Sequence, residues 1–260
     1  MITILSPAKT LDFETPSPMV QHTSPAFLAD ARDLMDVLRE KRPEDLAHLM
    51  KLSPKLAELN EDRNLAWTAE AHWLPDPARP AIFAFRGGVY HGLEADTLDA
   101  KTLDFAQDHL RILSGLYGVL RPLDLILPHR LEMGTSLKTP RGSTLYEFWG
   151  TALAEALLEY GQPVVNLASQ EYFRAAQAGG RGTACDAATL DDRVVTPVFQ
   201  ETTNKGPRVV AVHAKRQRGR MARFILDNRI ENPEDLRDYN LDGYRFLSDA
   251  SSEREFVYRR

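Results

Sequence analysis

Leu113-Ser-Gly-Leu-Tyr-Gly-Val-Leu-Arg-Pro-Leu-Asp-Leu-Ile-Leu-Pro-His-Arg-Leu-Glu-Met-Gly134 is the stretch on which the reading of this chain turns. Gly115 and Gly118 bracket a tight bend, because glycine enters positive-φ regions without steric cost. Pro122 and Pro128 then fix φ around a short apolar run. Tyr117, Arg121 and Arg130 are carried on this stiffened backbone, an arrangement suited to presenting donors to an anion. With Leu103 to Leu113 read as a helix and Ser114 to Gly118 as the bend, the spacing predicts a helix-hairpin-helix-like element. Such a bend can aim amide N–H groups at a phosphate without reading base sequence. Two residues separate the glycines, so a plain turn between packed elements stays open beside that reading.

Outward from this stretch, strands and helices alternate. Residues 2–5 read as a buried strand, and Ser6-Pro7 after it as a helix cap or a turn. Ser24-Pro25, Pro43-Glu44-Asp45 and Ser53-Pro54 open three helices. Pro75 to Pro80 reads as a linker, and Ala81 to Phe85 as a strand that delivers Arg86-Gly87-Gly88 to its end. Helices are expected over 97–111 and 144–160, with Gly161 ending the second. The strand Pro163 to Leu167 would place Asn166, Ser169 and Tyr172 at its C-terminal end, where open α/β sheets bind ligands. Ala178 to Arg193 has loop composition. Val194-Val195, Val198-Phe199 and 209–212 read as strands, with a hairpin turn at 202–206, and 214–229 as a basic helix. Tyr244 to Leu247 and Glu255 to Tyr258 close the chain as a strand pair. The order predicts an α/β fold, mixed α+β, in which residues 1–260 form a single domain with a curved mixed sheet wrapped by helices.

Composition bounds the function. The 260 residues are 43% hydrophobic and 27% charged, which fits a folded globule and not a disordered chain. A net charge of −5 excludes an indiscriminate polycation, so any anion site must be a local patch. The only cysteine, Cys185, rules out an internal disulfide and fits a reducing compartment. No leader-like segment or 18-residue apolar run is present, so a cytoplasmic protein without membrane contact is expected.

That local patch lies between Lys215 and Arg229, where six cations face Asp227 as the one acid. On a helix, Lys215 and Arg218 flank the Met221/Phe224/Ile225 stripe on one side, and Arg216, Arg220 and Arg223 cluster on the other. Ser6-x-x-Lys9 has the spacing of a serine nucleophile and lysine base, but the companion motifs of that enzyme class are absent from the sequence. No H-E-x-x-H, Walker loop or G-x-G-x-x-G occurs, so neither a metal nor a cofactor is expected.

Ser6 to Thr10, Phe85 to Leu93, the Leu113–Gly134 stretch, Asn166 to Ser169, Glu171 to Phe173, Thr196 to Phe199 and Arg218 to Ile225 together resemble the YaaA peroxide-stress-resistance family of bacteria. The resemblance spans nearly the whole chain. It implies a positively charged cleft that binds duplex or branched DNA, together with survival of peroxide stress and lower free iron. Lys9, Arg111, Arg121, Arg130, Lys215, Arg218 and Arg223 are then the matching basic positions, with Arg86 beside them. Gly115, Tyr117 and Gly118 form the hairpin, and Ser6, Thr10, Tyr90, Asn166, Ser169 and Tyr172 the polar lining. A monomer on DNA would limit iron-dependent hydroxyl-radical damage. Two departures stand out: Gly88 where the family usually has Asp, and His129 where it has Tyr. The loss of an acid favours binding over catalysis. The alternative is an enzyme acting on a nucleotide or other phosphorylated small molecule in the same cleft, which a narrow enclosed cleft would support.

Overall fold

The computed structural model describes residues 1–16, 21–70, 78–177 and 190–260. Its centre is an eight-stranded mixed sheet: β1 (Ile2–Leu5), β2 (Leu110–Ser114), β3 (Gly118–Leu120), β4 (Val164–Asn166), β5 (Val194–Thr203), β6 (Gly206–Arg208), β7 (Arg245–Phe246) and β8 (Glu255–Arg259). The order is β7-β8-β5-β4-β1-β2-β3, with β6 pairing β5. β8, β5, β4, β1 and β2 run parallel, and β7, β3 and β6 are antiparallel additions. Every residue of β1 and β2 is buried, as expected of central parallel strands covered on both faces.

The strand order contains a switch point. β1 and β4 are neighbours, with Ile4 paired to Asn166, but the next strand of this sheet after β1 is β2 on one side and after β4 is β5 on the other. The chain therefore diverges above their carboxyl ends, where ligands of open α/β sheets settle. The helix Ala100–His109 packs on β1 and β2, Gln170–Gln177 on β2, and Ala211–Asn228 on β5.

The predicted helix-hairpin-helix element is corrected. The helix stops at His109, and Leu110–Ser114 is a strand paired with both β1 and β3. Ser114 pairs with Gly118 across the bend, so the element is a β-hairpin, with Gly118 at φ 68°. Asp99 caps the helix through a 2.7 Å bond from the Thr102 amide, but nothing local marks its end. Pairing with β1 settles it, an override of local propensity by tertiary contact.

Further elements differ in detail. Ala81–Ala84 is a turn of helix and only Phe85–Arg86 is strand, since a short apolar run reads alike in both states. The helix expected over 144–160 breaks at Gly150, φ 49°, into Leu145–Trp149 and Ala152–Leu158. Val194–Thr203 is one strand, not two, and its hairpin partner is Gly206–Arg208, so the strand expected over 209–212 is replaced by the start of the Ala211–Asn228 helix. Cys185, most of the loop predicted over 178–193, and residues 75–77 of the linker lie outside the described residues. Among those described, no helix is long and apolar enough to cross a membrane.

Candidate functional site

Two glycines lock the helix that carries the basic patch. A Cβ at Gly219 would lie 1.8 Å from the Val89 carbonyl oxygen, and one at Gly92 would lie 2.2 Å from that of Arg216. The Gly88–Leu93 and Ala211–Asn228 helices thus meet backbone to backbone. This contact fixes Lys215 and Arg218 over the loop that follows β1. It also explains why Phe85–Leu93 and Arg218–Ile225 are both glycine-bearing.

Below them, at the switch point, lies a cleft of about 330 Å³. Its lining joins five of the segments singled out from the sequence: Ser6–Thr10, Phe85–Tyr90, Ser114 with His129–Glu132, Ser169 with Glu171 and Tyr172, and Lys215 with Arg218. Ser6 ties β1 to β4, its hydroxyl accepting from the Ser169 amide at 2.7 Å and donating to the Ser169 hydroxyl at 3.2 Å. Tyr90 donates to the Ser6 carbonyl at 3.0 Å. Burial pushes the phenols of Tyr90 and Tyr172 above their ordinary range, so both stay protonated.

The cations of this cleft fall into two groups. Arg86 reaches Asp12 at 3.0 Å and Asp96 at 2.8 Å. Lys9 and Arg130 share one carboxylate, Glu132, at 2.6 and 3.0 Å. Lys215 and Arg218 have no acidic partner among the described residues. Burial lowers the Arg218 guanidinium from its ordinary value, yet arginine keeps its charge at any ordinary pH. A desolvated, uncompensated cation stores a cost that a bound anion relieves.

His129 contributes the opposite character. Its Nδ1 lies 2.8 Å from the Leu127 carbonyl oxygen, which can only accept, so Nδ1 carries the proton and Nε2 presents a lone pair. Burial pushes the ring down to about 4, and the nearby Arg63 cation adds to the effect. It is therefore neutral near pH 7, held edge-on to Tyr117 and Phe85.

Several predicted site residues lie elsewhere. Arg111 is buried beneath Tyr160, its guanidinium 4.4 Å from the ring centroid, and donates to the Gln107 and Leu110 carbonyls. Arg121 pairs with the buried Asp124 at 3.4 Å, and Arg223 with Asp227 at 2.8 Å. Tyr117 presents nothing to a ligand: its hydroxyl accepts from Trp67 Nε1 at 2.7 Å and from the Leu127 amide at 3.1 Å. Asn166 braces the turn after β4, accepting from the Ala168 amide at 3.0 Å. A Cβ at Gly115 would meet the Leu131 carbonyl at 2.3 Å, and one at Gly118 the Trp149 ring at 3.0 Å, so both glycines serve packing. Ser6 and Lys9 form no mutual hydrogen bond, since Lys9 is engaged by Glu132 and Ser6 by Ser169. Sequence reading missed Glu132 and Glu171 as part of the site because the contacts that bring them to it, Lys9 for Glu132 and the Gly134 amide for Glu171, are remote in the chain.

A larger hollow of about 480 Å³ lies between Gly161–Pro163, 192–195 and Glu253–Arg254, at the amino ends of β4 and β5. Parallel strands rarely bind ligands there, and Arg254 is paired with Asp192 at 2.8 Å. No group of three or more His, Cys, Asp or Glu placed to hold a metal ion occurs among the described residues.

The fold and cleft define an α/β protein with a crevice at its sheet's switch point, lined in part by two cations without acidic partners among the described residues. Comparison with known proteins places the chain in a family. The sequence model described as peroxide stress protein YaaA matches residues 1–250. A UPF0246 protein of Bordetella pertussis (strain Tohama I) is 47% identical over 265 residues, covering 100% of this chain and 99% of its own. A UPF0246 protein of Azoarcus sp. (strain BH72) is 46% identical over 269 residues, with 100% and 99% covered. A UPF0246 protein of Alteromonas mediterranea is 47% identical over 265 residues, with 100% and 98% covered. The chain belongs to the YaaA family of peroxide stress proteins.

Proposed function

We propose that this protein acts in the peroxide stress response by binding DNA through its backbone, with phosphate held by Lys215 and Arg218. The observation that supports this reading is the pair of cations one helical turn apart, facing the cleft without acidic partners among the described residues. Lys9 and Arg130 add charge at the rim, shared with Glu132. Occupancy of DNA by such a protein would shield or displace bound iron, and so limit the hydroxyl radical that iron and peroxide generate there.

Phosphate contacts make affinity fall steeply with salt and leave base sequence nearly unread. Lys215→Ala and Arg218→Ala should each flatten the slope of log affinity against log salt by about one unit. Arg121→Ala should leave that slope alone. An affinity independent of salt, or one restricted to a single base sequence, overturns the reading. A second reading, a phosphorylated small molecule as the ligand, is favoured by the volume of the cleft, which lies in the range of small-ligand pockets. Direct titration with inorganic phosphate and with DNA separates the two.

A further inference from the structure

The cleft lining combines cations with unspent acceptors, and that combination is more specific than a basic patch. The lining includes Lys215 and Arg218, whose charges no described acid compensates. The rest of the lining includes two acceptors with capacity to spare. His129 Nε2 has no partner among the described residues, and its Nδ1 proton is spent on the Leu127 carbonyl. Glu171 uses one carboxylate oxygen to accept from the Gly134 amide at 2.9 Å and forms no ion pair with a described residue. Tyr90 and Tyr172, both buried, also line the cleft.

Volume sets the scale of the occupant. About 330 Å³ excludes a duplex from the interior, but lies at the small end of the range for small-molecule pockets. Uncompensated cations, unspent acceptors and two tyrosines in one lining match a compact ligand that carries a phosphate, hydrogen-bond donors and a flat ring. Proteins that take one base out of a DNA stack read it in such a pocket, by hydrogen bonds to its edge and by stacking.

We infer that the cleft seats one nucleotide unit, its phosphate on Lys215 and Arg218 and the amino or hydroxyl donors of its base or sugar on His129 and Glu171. The unit comes either free, as a nucleoside monophosphate, or as a nucleotide unstacked from a DNA strand whose neighbouring phosphates lie at the rim. This inference rests on the phosphate reading of the same cleft. It adds the donor-reading end, which non-specific backbone binding does not require.

The test is equilibrium titration of the full chain with inorganic phosphate, the four deoxynucleoside monophosphates and the matching unphosphorylated nucleosides. Two duplexes of equal length complete the set, one fully paired and one with a single bulged nucleotide. At least one deoxynucleoside monophosphate should bind about tenfold tighter than phosphate, since two added hydrogen bonds are each worth about three- to tenfold. His129→Phe and Glu171→Gln should each reduce that preference about three- to tenfold while leaving phosphate affinity unchanged. Arg218→Gln should weaken every phosphorylated ligand. Tighter binding of the bulged duplex assigns the unit to a DNA strand, whereas equal binding of the two duplexes beside a nucleotide preference assigns it to the free pool. Equal affinity for phosphate and for all four nucleotides sinks the inference, as does a nucleotide preference that survives both acceptor substitutions. Glu171 is exposed, so its variant keeps the test valid if His129→Phe fails to fold. Phosphate binding that ignores Arg218→Gln overturns the phosphate reading together with the inference. Phosphate binding that needs Arg218, with no nucleotide preference, overturns the inference alone.

Discussion

The two sides of the Ala211–Asn228 helix carry similar charge, and, Arg216 apart, their cations meet opposite fates. On one, Arg220 pairs with Asp242 at 3.2 Å, and Arg223 grips Asp227 at 2.8 Å and the Glu94 carbonyl at 3.2 Å. On the other, Lys215 and Arg218 face the cleft with no acid among the described residues. Gln217, buried between these groups, bonds Asp242 at 2.6 Å and so ties the helix to the 241–243 turn. The compensated cations fasten the helix, and the uncompensated ones are held ready by it. A charge count along the sequence cannot separate the two roles, because Asp242 and Glu94 lie outside the helix.

The sharpest way to break this contrast is to disturb the glycine contact beneath both sides. Gly219→Ala puts a Cβ into the space of the Val89 carbonyl, and backbone cannot yield as a side-chain end does. A loss of about 3 kcal/mol or more in denaturant unfolding is expected, and the proposed DNA binding should be lost with it. A Gly219→Ala protein as stable as the parent would show that the two helices do not lock the cleft.

A second experiment concerns His129, the neutral ring in the lining of the same cleft. Folding moves His129 from about 6.5 in the unfolded chain to about 4. Below pH 6.5 the unfolded chain binds the proton and the folded one does not. Stability from this group is therefore complete above pH 6.5 and is lost as the pH falls towards 4, by about 3 kcal/mol in all. His129→Phe should remove that part of the acid destabilisation. If urea midpoints of the variant and parent fall in parallel between pH 6.5 and 4, the ring is not held neutral by burial.

The smallest effect tests the fastening side itself. Arg223→Ala should cost about 1–2 kcal/mol of stability, through lost hydrogen bonds to Asp227 and the Glu94 carbonyl, and leave the salt dependence of the proposed DNA binding unchanged. A flattened salt slope in Arg223→Ala would erase the distinction between the two sides.

Much of this was legible in advance where the signal is local. The 2–5 strand, the three N-terminal helices, the basic helix and the closing strand pair all rest on periodicity and capping, and the structure contains each, with Pro43 and Pro54 in the first turns of the second and third helices, while the first begins at Leu28, three residues after Pro25. The division of the basic helix into Lys215/Arg218 and Arg216/Arg220/Arg223 follows from 3.6-residue geometry alone. The bend at Gly115–Gly118 was likewise legible as a bend, because a positive φ at Gly118 needs that residue.

Its partners were not. Leu110–Ser114 is apolar enough for either state, and pairing with β1 made it a strand, so the bend joins two strands instead of two helices. The chemistry of each arginine was equally a tertiary matter. Sequence establishes that Arg111, Arg121, Arg130, Arg218 and Arg223 are permanent cations. Whether each is buried under Tyr160, pinned to Asp124, shared with Glu132, left open to the cleft or spent on Asp227 depends on the company the fold provides. The reason is physical: charge and conformational freedom belong to a residue, whereas desolvation and Coulomb compensation belong to the neighbours it meets in the fold, some near in sequence, as Asp124, Glu132 and Asp227 are, and some remote, as Tyr160 and the cleft walls are.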